Sequence, residues 1–256
     1  MNFRKSFYLG LIGSLLLLSV QSCDKANLIS SQDANTITDI DGNLYHTIKI
    51  GKQLWTVENF RSTKFNDSSK IPLVADSANW TSLISPGFCW CVDDISIRNK
   101  SGALYNWYAV NTHKLAPAGW HVPTDSDWFT LEFYLISNGF NWDGKTDSNK
   151  IAKSLAAKTD WQENTILGSI GNDLSKNNKS GFTAMPNGLR DGIGILSGPG
   201  NESLWWSSTA STDDTSTTSV HDTLTACIRY LGGLQSDLYK LYGFKNCGFA
   251  VRLLKD

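Results

Sequence analysis

Polar and apolar residues alternate from Tyr45 to Ile50 and again from Gln53 to Val57, a period of two that predicts two half-buried strands. Gly51-Lys52 between them suits a two-residue turn, so the pair is expected as a β-hairpin, entered through a turn at Asp41-Gly42-Asn43. The period changes further on. In "PAGWHVPTDSDW", Pro117 to Trp128, Thr124 and Asp127 stand as a helix-capping pair, and Trp128, Leu131 and Leu135, with Phe129, Phe133 and Ile136, follow at helical spacing until Gly139. A second helix is expected from Asn149 to Lys158, where Ile151 and Leu155, and Ala152 and Ala156, recur at helical spacing. A shorter one over "GALYNWYAV" would place Leu104, Trp107 and Tyr108 on one face. Beyond Thr159 the chain turns to Gly, Asn, Ser and Thr around short apolar runs, "GFTAMPNG", "LWWSST", "TACIRYLG" and "GFAVRLL", which predict short strands between long loops. Helices early and strands late give an α+β class. Ser211 to Ser219, "STDDTSTTS", is a polar loop tip.

The first residues have a different pattern. Arg4 and Lys5 precede an apolar run from Phe7 to Val20, the order of charge and hydrophobe found in an export signal. "SVQSCDK" follows, with Ser22 directly before Cys23 and Val20 three residues ahead of it; this resembles a bacterial lipoprotein signal, although Gln21 departs from the usual small residue. The organisation expected is a signal peptide over 1–22, a lipidated tether over 23–38 and one domain over 39–256. Acyl chains on Cys23 would hold the chain on membrane lipid, since each buried methylene contributes about 0.8 kcal/mol. The tether, "DKANLISSQDANTIT" after Cys23, is polar and has no aromatic residue.

Composition narrows the function by exclusion. The chain has 23 Lys plus Arg against 24 Asp plus Glu, leaving no basic excess for nucleic acid. Apart from Cys23 the cysteines are Cys89, Cys91, Cys227 and Cys247, an even number that permits two disulfides in an exported protein. Cys89 and Cys91 would share one face of a strand and are badly placed to join each other; Cys227 and Cys247, on expected C-terminal strands, are the favoured pair. No metal site is expected, because Cys89-Trp90-Cys91 lacks the spacing of zinc ligands and has no histidine near it. Asp39, Asp41 and Asn43 have the alternation of a calcium loop, but Ile50 occupies the place of its bidentate Glu. Turn chemistry accounts for them. His121, in the extended piece "WHVP", has no obvious partner in sequence and is not expected to be catalytic. No nucleophile elbow, zinc-type His motif or phosphate loop is present.

Several landmarks in fixed order carry a family resemblance: "DIDGNLYHTIKIGKQLWTVENFRSTKFND", "CW", "GALYNWYAV", "PAGWHVPTDSDWFTL", "SGFTAMPNGLRDG", "WWSST" and the terminal "GFAVRLLKD". The set resembles the Fibrobacter succinogenes major paralogous domain family, found in exported lipoproteins of Bacteroidota, over about residues 39–256. That family is similar in turn to domains of the C-type lectin-like and formylglycine-generating-enzyme type. The resemblance implies a C-type lectin-like α+β fold, with two helices flanking small antiparallel sheets and the N- and C-terminal strands together. It implies no activity. The Glu-Pro-Asn and Trp-Asn-Asp triplets of sugar-binding lectins are replaced by "MPNG" and "LWWSS", and no closely spaced cysteine pair for copper is carried over.

The expectation is therefore a lipid-anchored, non-catalytic module of the cell envelope, on the outer membrane, binding a glycan or another envelope ligand and using no cofactor. The alternatives are a structural or adhesive protein-interaction subunit and, second, a polysaccharide-acting hydrolase. In a lectin-like fold the ligand surface would fall in "NGLRDGIGILSGPGNE", which makes Asn187, Arg190, Asp191, Glu202 and Trp205 the candidate ligand-binding residues. Ten tryptophans offer faces for stacking on sugars, though most can be core. "DSA" and "DTL" resemble the short O-glycosylation motif of some Bacteroidota and mark Ser77 and Thr223 as possible acceptors.

Overall fold

A computed structural model describes residues 35–211 and 224–256. The expected export signal, Cys23, most of the expected tether and Thr223 lie outside the described residues. Thr36–Thr38 form the first strand, β1, which pairs antiparallel with β2 (Leu44–Ile50), Ile37 standing opposite Tyr45. The domain thus begins before Asp39, a correction to the expected boundary: Thr36 to Thr38 were read as tether because they carry no aromatic or periodic signal. β3 (Gln53–Thr56) closes the expected hairpin on β2 through Gly51, whose φ of +62° favours glycine. Gly51 is also obligatory for packing, since a Cβ there would meet the Tyr134 ring at 2.8 Å.

The remaining elements follow as α1 (Ser77–Thr81), β4 (Phe88–Cys89), α2 (Ile95–Ser101), β5 (Leu104–Tyr105), α3 (Trp107–Val110) and β6 (Trp120–His121). Then come α4 (Asp125–Ser137), α5 (Ala152–Leu155), β7 (Leu189–Arg190), β8 (Leu196–Ser197), β9 (Glu202–Ala210), β10 (Thr225–Gly232), β11 (Tyr239–Phe244) and β12 (Leu254–Lys255). Among the described residues the strands assemble as a sheet in the order β1-β2-β3-β12-β6, a sheet β11-β10-β9, and the small pairs β4-β5 and β7-β8. Every strand pair is antiparallel, and the first and last parts of the chain meet where Leu254 faces Trp55. The fold is α+β, with few helices and several small antiparallel sheets. No described helix is long and apolar enough to cross a membrane.

α4 starts at the expected cap. Thr124 accepts from the Asp127 amide at 3.2 Å, and Asp127 returns the bond by accepting from the Thr124 amide at 2.9 Å. Trp128, Leu131 and Leu135 are buried, whereas Phe129 and Phe133 face solvent. The helix expected from Asn149 to Lys158 shrinks to the four residues of α5. Residues 151–157 are buried on every side, so their apolar spacing marks interior chain rather than one helical face. Ala156 turns extended, at ψ 144°, and bridges Ala184. Leu104 leaves the expected helix to pair with Cys89 in a strand, and α3 starts only at Trp107, behind an Asn106 cap.

The sheet β11-β10-β9 divides the interior. From one face Leu204, Trp206 and Ile228 enter a core with Tyr45, Phe60, Tyr105 and Phe249. From the other, Trp205 and Leu231 enter a core with Trp55, Trp128 and Phe182. Alternation along β9 therefore commits both tryptophans of "LWW", one to each side. Among the described residues three arginines, Arg190, Arg229 and Arg252, are essentially inaccessible and serve as internal clamps. Arg252 donates to the carbonyls of Thr56, Val57, Phe182 and Thr183 and to Asn59 Oδ1, tying β3 to the 182–183 loop. Arg229 bonds Asp125 and Glu132 of α4, at 2.8 and 2.5 Å. Each planar fork meets several acceptors at once, which offsets the cost of its burial.

Candidate functional site

Of the five residues that the sequence suggested for ligand contact, Asn187, Arg190 and Trp205 are buried in the protein, and Asp191, half-buried, is spent on its own turn. Arg190 is 1% exposed; its guanidinium donates to the carbonyls of Val74 at 2.7 Å, Ala75 at 2.9 Å and Gly194 at 3.1 Å, and lies over the Trp80 ring. Trp205 is fully buried, with its Nε1 donating to Asn59 Oδ1 at 2.9 Å. Asn187 is fully buried and accepts from the Ser203 hydroxyl. Asp191 Oδ1 accepts from the amides of Ile193 and Ile195, shaping the β7-β8 turn. These are corrections to the expectation. A loop dense in Arg, Asp and Asn looks like a binding surface in sequence, but here Asp191 shapes the loop's own turn, Arg190 ties it to the Val74–Ala75 backbone, and Asn187 bonds the Ser203 hydroxyl.

Glu202 differs. It begins β9, is half-buried, accepts from the Ser197 hydroxyl at 2.9 Å and lines an open cleft of about 470 Å³. The register sets Glu202 opposite Gly232 of β10, so Tyr230 and Glu202 lie on the same face of the sheet. Gly232 makes room for this arrangement, because a Cβ there would come within 2.5 Å of the Tyr230 hydroxyl. On β11, Tyr239 faces Tyr230 across the ladder; the rings stand 6.2 Å apart, and the Tyr239 hydroxyl donates to Gln235 Oε1 at 3.2 Å. Burial, with the negative charge of Glu202 next, pushes the Tyr230 phenol above its ordinary value, so it stays a hydroxyl at neutral pH.

The opposite wall comes from residues 162–164 and from Asn201. The Asn164 amide donates to Gly233 O at 3.0 Å and its oxygen accepts from the Ile166 amide and the Ser169 hydroxyl, so it braces the wall. The side chains of Gln162, Glu163 and Asn201 bond no other protein group among the described residues. The cleft thus offers two carboxylates and several amides against Tyr230, whose ring Tyr239 flanks from outside the lining, and no lysine or arginine lines it. The sequence signal that could have found its second half is the Gly232-Gly233 step after "TACIRYL", where β10 gives way to a loop under a strand-facing tyrosine.

Elsewhere the groups with reactive chemistry are engaged. His121 does have partners: Nδ1 pairs with Asp256 at 2.6 Å and Nε2 with Asp127 at 3.2 Å. Both ring nitrogens are taken, and Asp127 also caps α4, so the ring joins β6, the helix start and the chain end rather than presenting a free base. Cys89, Cys91, Cys227 and Cys247 are all free, buried thiols. The expected Cys227–Cys247 disulfide is not formed, another correction: Cys227 lies opposite Tyr242 in the β10-β11 ladder, while Cys247 sits in the turn after β11. Burial raises Cys89, Cys91 and Cys247 to about 11, away from thiolate reactivity. Asp39 spends its oxygens on the amides of Asp41 and Asn43, the Asn43 side chain and the Tyr45 hydroxyl at 2.6 Å, as a turn residue. Ser77 opens α1 after the Asp76 cap, and its hydroxyl donates to Gly194 O at 2.9 Å.

The sequence description of one family, the Fibrobacter succinogenes major domain, matches residues 48–255, from within β2 to β12. The chain belongs to that family. The matched span includes the whole Glu202 cleft and leaves out only β1 and the start of β2 among the described strands. No curated protein and no solved structure matches the chain. Membership in the family assigns the domain and no activity.

Proposed function

We propose that the chain is a lipid-anchored, non-catalytic binding module of the cell envelope, and that the Glu202 cleft receives a glycan. The observation that carries this reading is the Tyr230 ring, flanked by Tyr239, facing across the cleft hydrogen-bonding side chains left unspent by the protein, Gln162, Glu163 and Asn201. An aromatic face covers the apolar side of a sugar ring while amides and carboxylates bond its hydroxyls. With two carboxylates and no cation, the cleft favours a neutral or amino sugar over an acidic one. The anchor is argued from sequence: Arg4 and Lys5, the run from Phe7 to Val20, and Cys23 place the chain on membrane lipid, with the outer membrane as the expected location.

Two measurements test the reading. Full-length protein in detergent is screened on a glycan array, and Tyr230→Ala is expected to lose binding by about tenfold or more. Retention of array binding by Tyr230→Ala together with Glu202→Gln would sink the cleft. Metabolic palmitate is expected to label the parent and not Cys23→Ser, and equal labelling of the two would sink the anchor. The adhesive alternative draws on edge strand β11, which exposes Tyr239, Leu241, Tyr242 and Phe244. A hydrolase would need Glu163 and Glu202 as its acid and base, and polysaccharide turnover lost in either Gln variant would favour it.

A further inference from the structure

A second cleft, of about 400 Å³, opens between residues 140–144 and the 167–179 stretch, and its charge is reversed: Lys153, Lys176 and Lys179 line it and no carboxylate does. We infer that this cleft binds a saccharide bearing a carboxylate, of the uronic-acid type, with the sugar ring on Trp142 and the anion between Lys176 and Lys179. The site is independent of the Glu202 cleft.

Trp142 supplies the ring contact. It is 39% exposed although Gly168 lies hard against it; a Cβ on Gly168 would sit 2.3 Å from the indole. The backbone of residue 168 therefore backs the ring and holds it in place, and Leu167 extends the apolar rim. Asn172 adds a side-chain amide that bonds no other group among the described residues.

The three lysines divide the work. Lys153 is 6% exposed and donates to the carbonyls of Ser169, Ile170, Asn172 and Asp173, so it contributes field to the floor rather than a contact. Lys176 is exposed and pairs at 3.0 Å with Asp173, which does not line the cleft. Lys179 donates to Gly139 O at 2.8 Å and stands over the Phe140 ring, with no carboxylate partner; two of its protons are left for a ligand. The nearby acids Asp143 and Asp147 are both engaged by Lys150. Three lining cations, of which only Lys176 is paired to a carboxylate, leave the cleft positive. A positive rim beside a fixed indole selects an anion that also has an apolar ring face.

Isothermal titration of the detergent-solubilised full-length chain with tri-galacturonate tests the inference, with maltotriose and inorganic phosphate as comparisons. Tri-galacturonate is expected to bind, maltotriose to bind about tenfold more weakly at this cleft, and phosphate to compete poorly. Lys179→Gln and Trp142→Ala, both at exposed positions and checked for an unchanged circular dichroism spectrum, should each weaken tri-galacturonate by about tenfold. Glu202→Gln should leave it unchanged. No binding by the parent, maltotriose binding that equals tri-galacturonate and is weakened alike by Trp142→Ala, full displacement by phosphate, indifference to both cleft variants, or loss in Glu202→Gln would each overturn the assignment. Failure of the Glu202 cleft on a glycan array leaves these outcomes untouched.

Discussion

The two clefts are close in size, about 470 and 400 Å³, yet opposite in charge: Glu163 and Glu202 in one, Lys153, Lys176 and Lys179 in the other. They also rest on different supports. The Glu202 cleft is floored by a strand ladder whose register fixes Tyr230, Tyr239 and Glu202 relative to one another. The lysine cleft takes Lys153 from α5 and most of the rest of its lining from connecting segments, and one continuous stretch serves both, since residues 162–164 wall the first and residues 167–179 wall the second. Both clefts thus combine side chains from regular elements with side chains from the connecting segments, and it is the segments that supply the second wall of each.

The strongest way to break the comparison is to remove what the clefts share. Trp205→Ala should empty a fully buried site packed against Trp128 and Phe182, costing about 3–5 kcal/mol in urea unfolding and weakening both clefts together. Next, Lys153→Met should cost about 2–4 kcal/mol, because four carbonyls lose their donor. Amide hydrogen exchange should then rise across residues 162–176, and a protection pattern equal to the parent's would show that Lys153 does not hold the shared stretch. Tyr230→Ala should sharpen the contrast instead, lowering glycan affinity by about tenfold at the first cleft while tri-galacturonate binding stays at the parent value.

Salt separates the clefts more gently. Raising sodium chloride from about 0.05 to about 0.5 M should weaken the lysine cleft severalfold and leave a neutral glycan unaffected. Smallest is an acid effect remote from both. Burial alone would raise Asp41, but bonds from Lys64 and Thr63 lower its carboxyl from 3.8 to about 2. A carboxyl depressed in the folded state contributes stability above about pH 3.8 that fades as pH falls toward about 2. Asp41→Asn should therefore cost about 1 kcal/mol at neutral pH and flatten the stability curve in that window, with both affinities unchanged at pH 7.

Legibility followed range. The hairpin turn at Gly51-Lys52 and the Thr124–Asp127 cap were readable because their partners lie within a few residues. The family was readable from ordered landmarks, and the match over residues 48–255 bears it out. Arg190, Arg252 and Trp205 were opaque in function, since nothing local tells a buried charged clamp or a core indole from a binding group. His121 was read as unpartnered although Asp127 is six residues away and Asp256 is 135 away; the first partner was assigned wholly to the cap, and the second is distant in sequence. Glu202 was named as a candidate, but Tyr230, Gln162 and Glu163, which line the same cleft, were not: the β9-β10 register brings Tyr230 to it, and the bonds of Gln162 to Gly200 and of Asn164 to Gly233 bring the other two.

By itself the sequence determined the α+β class, the start of the long helix, the hairpin and the family, all matters of short-range pattern and order. Tertiary structure decided which polar residues are structural and which remain free, whether Cys227 meets Cys247, and the sign of charge in each cleft. The reason is physical: a capping bond or an alternating strand is settled by neighbours in the chain. The burial of an arginine, the pairing of thiols and the field in a cleft depend on groups that only packing brings within a few ångströms.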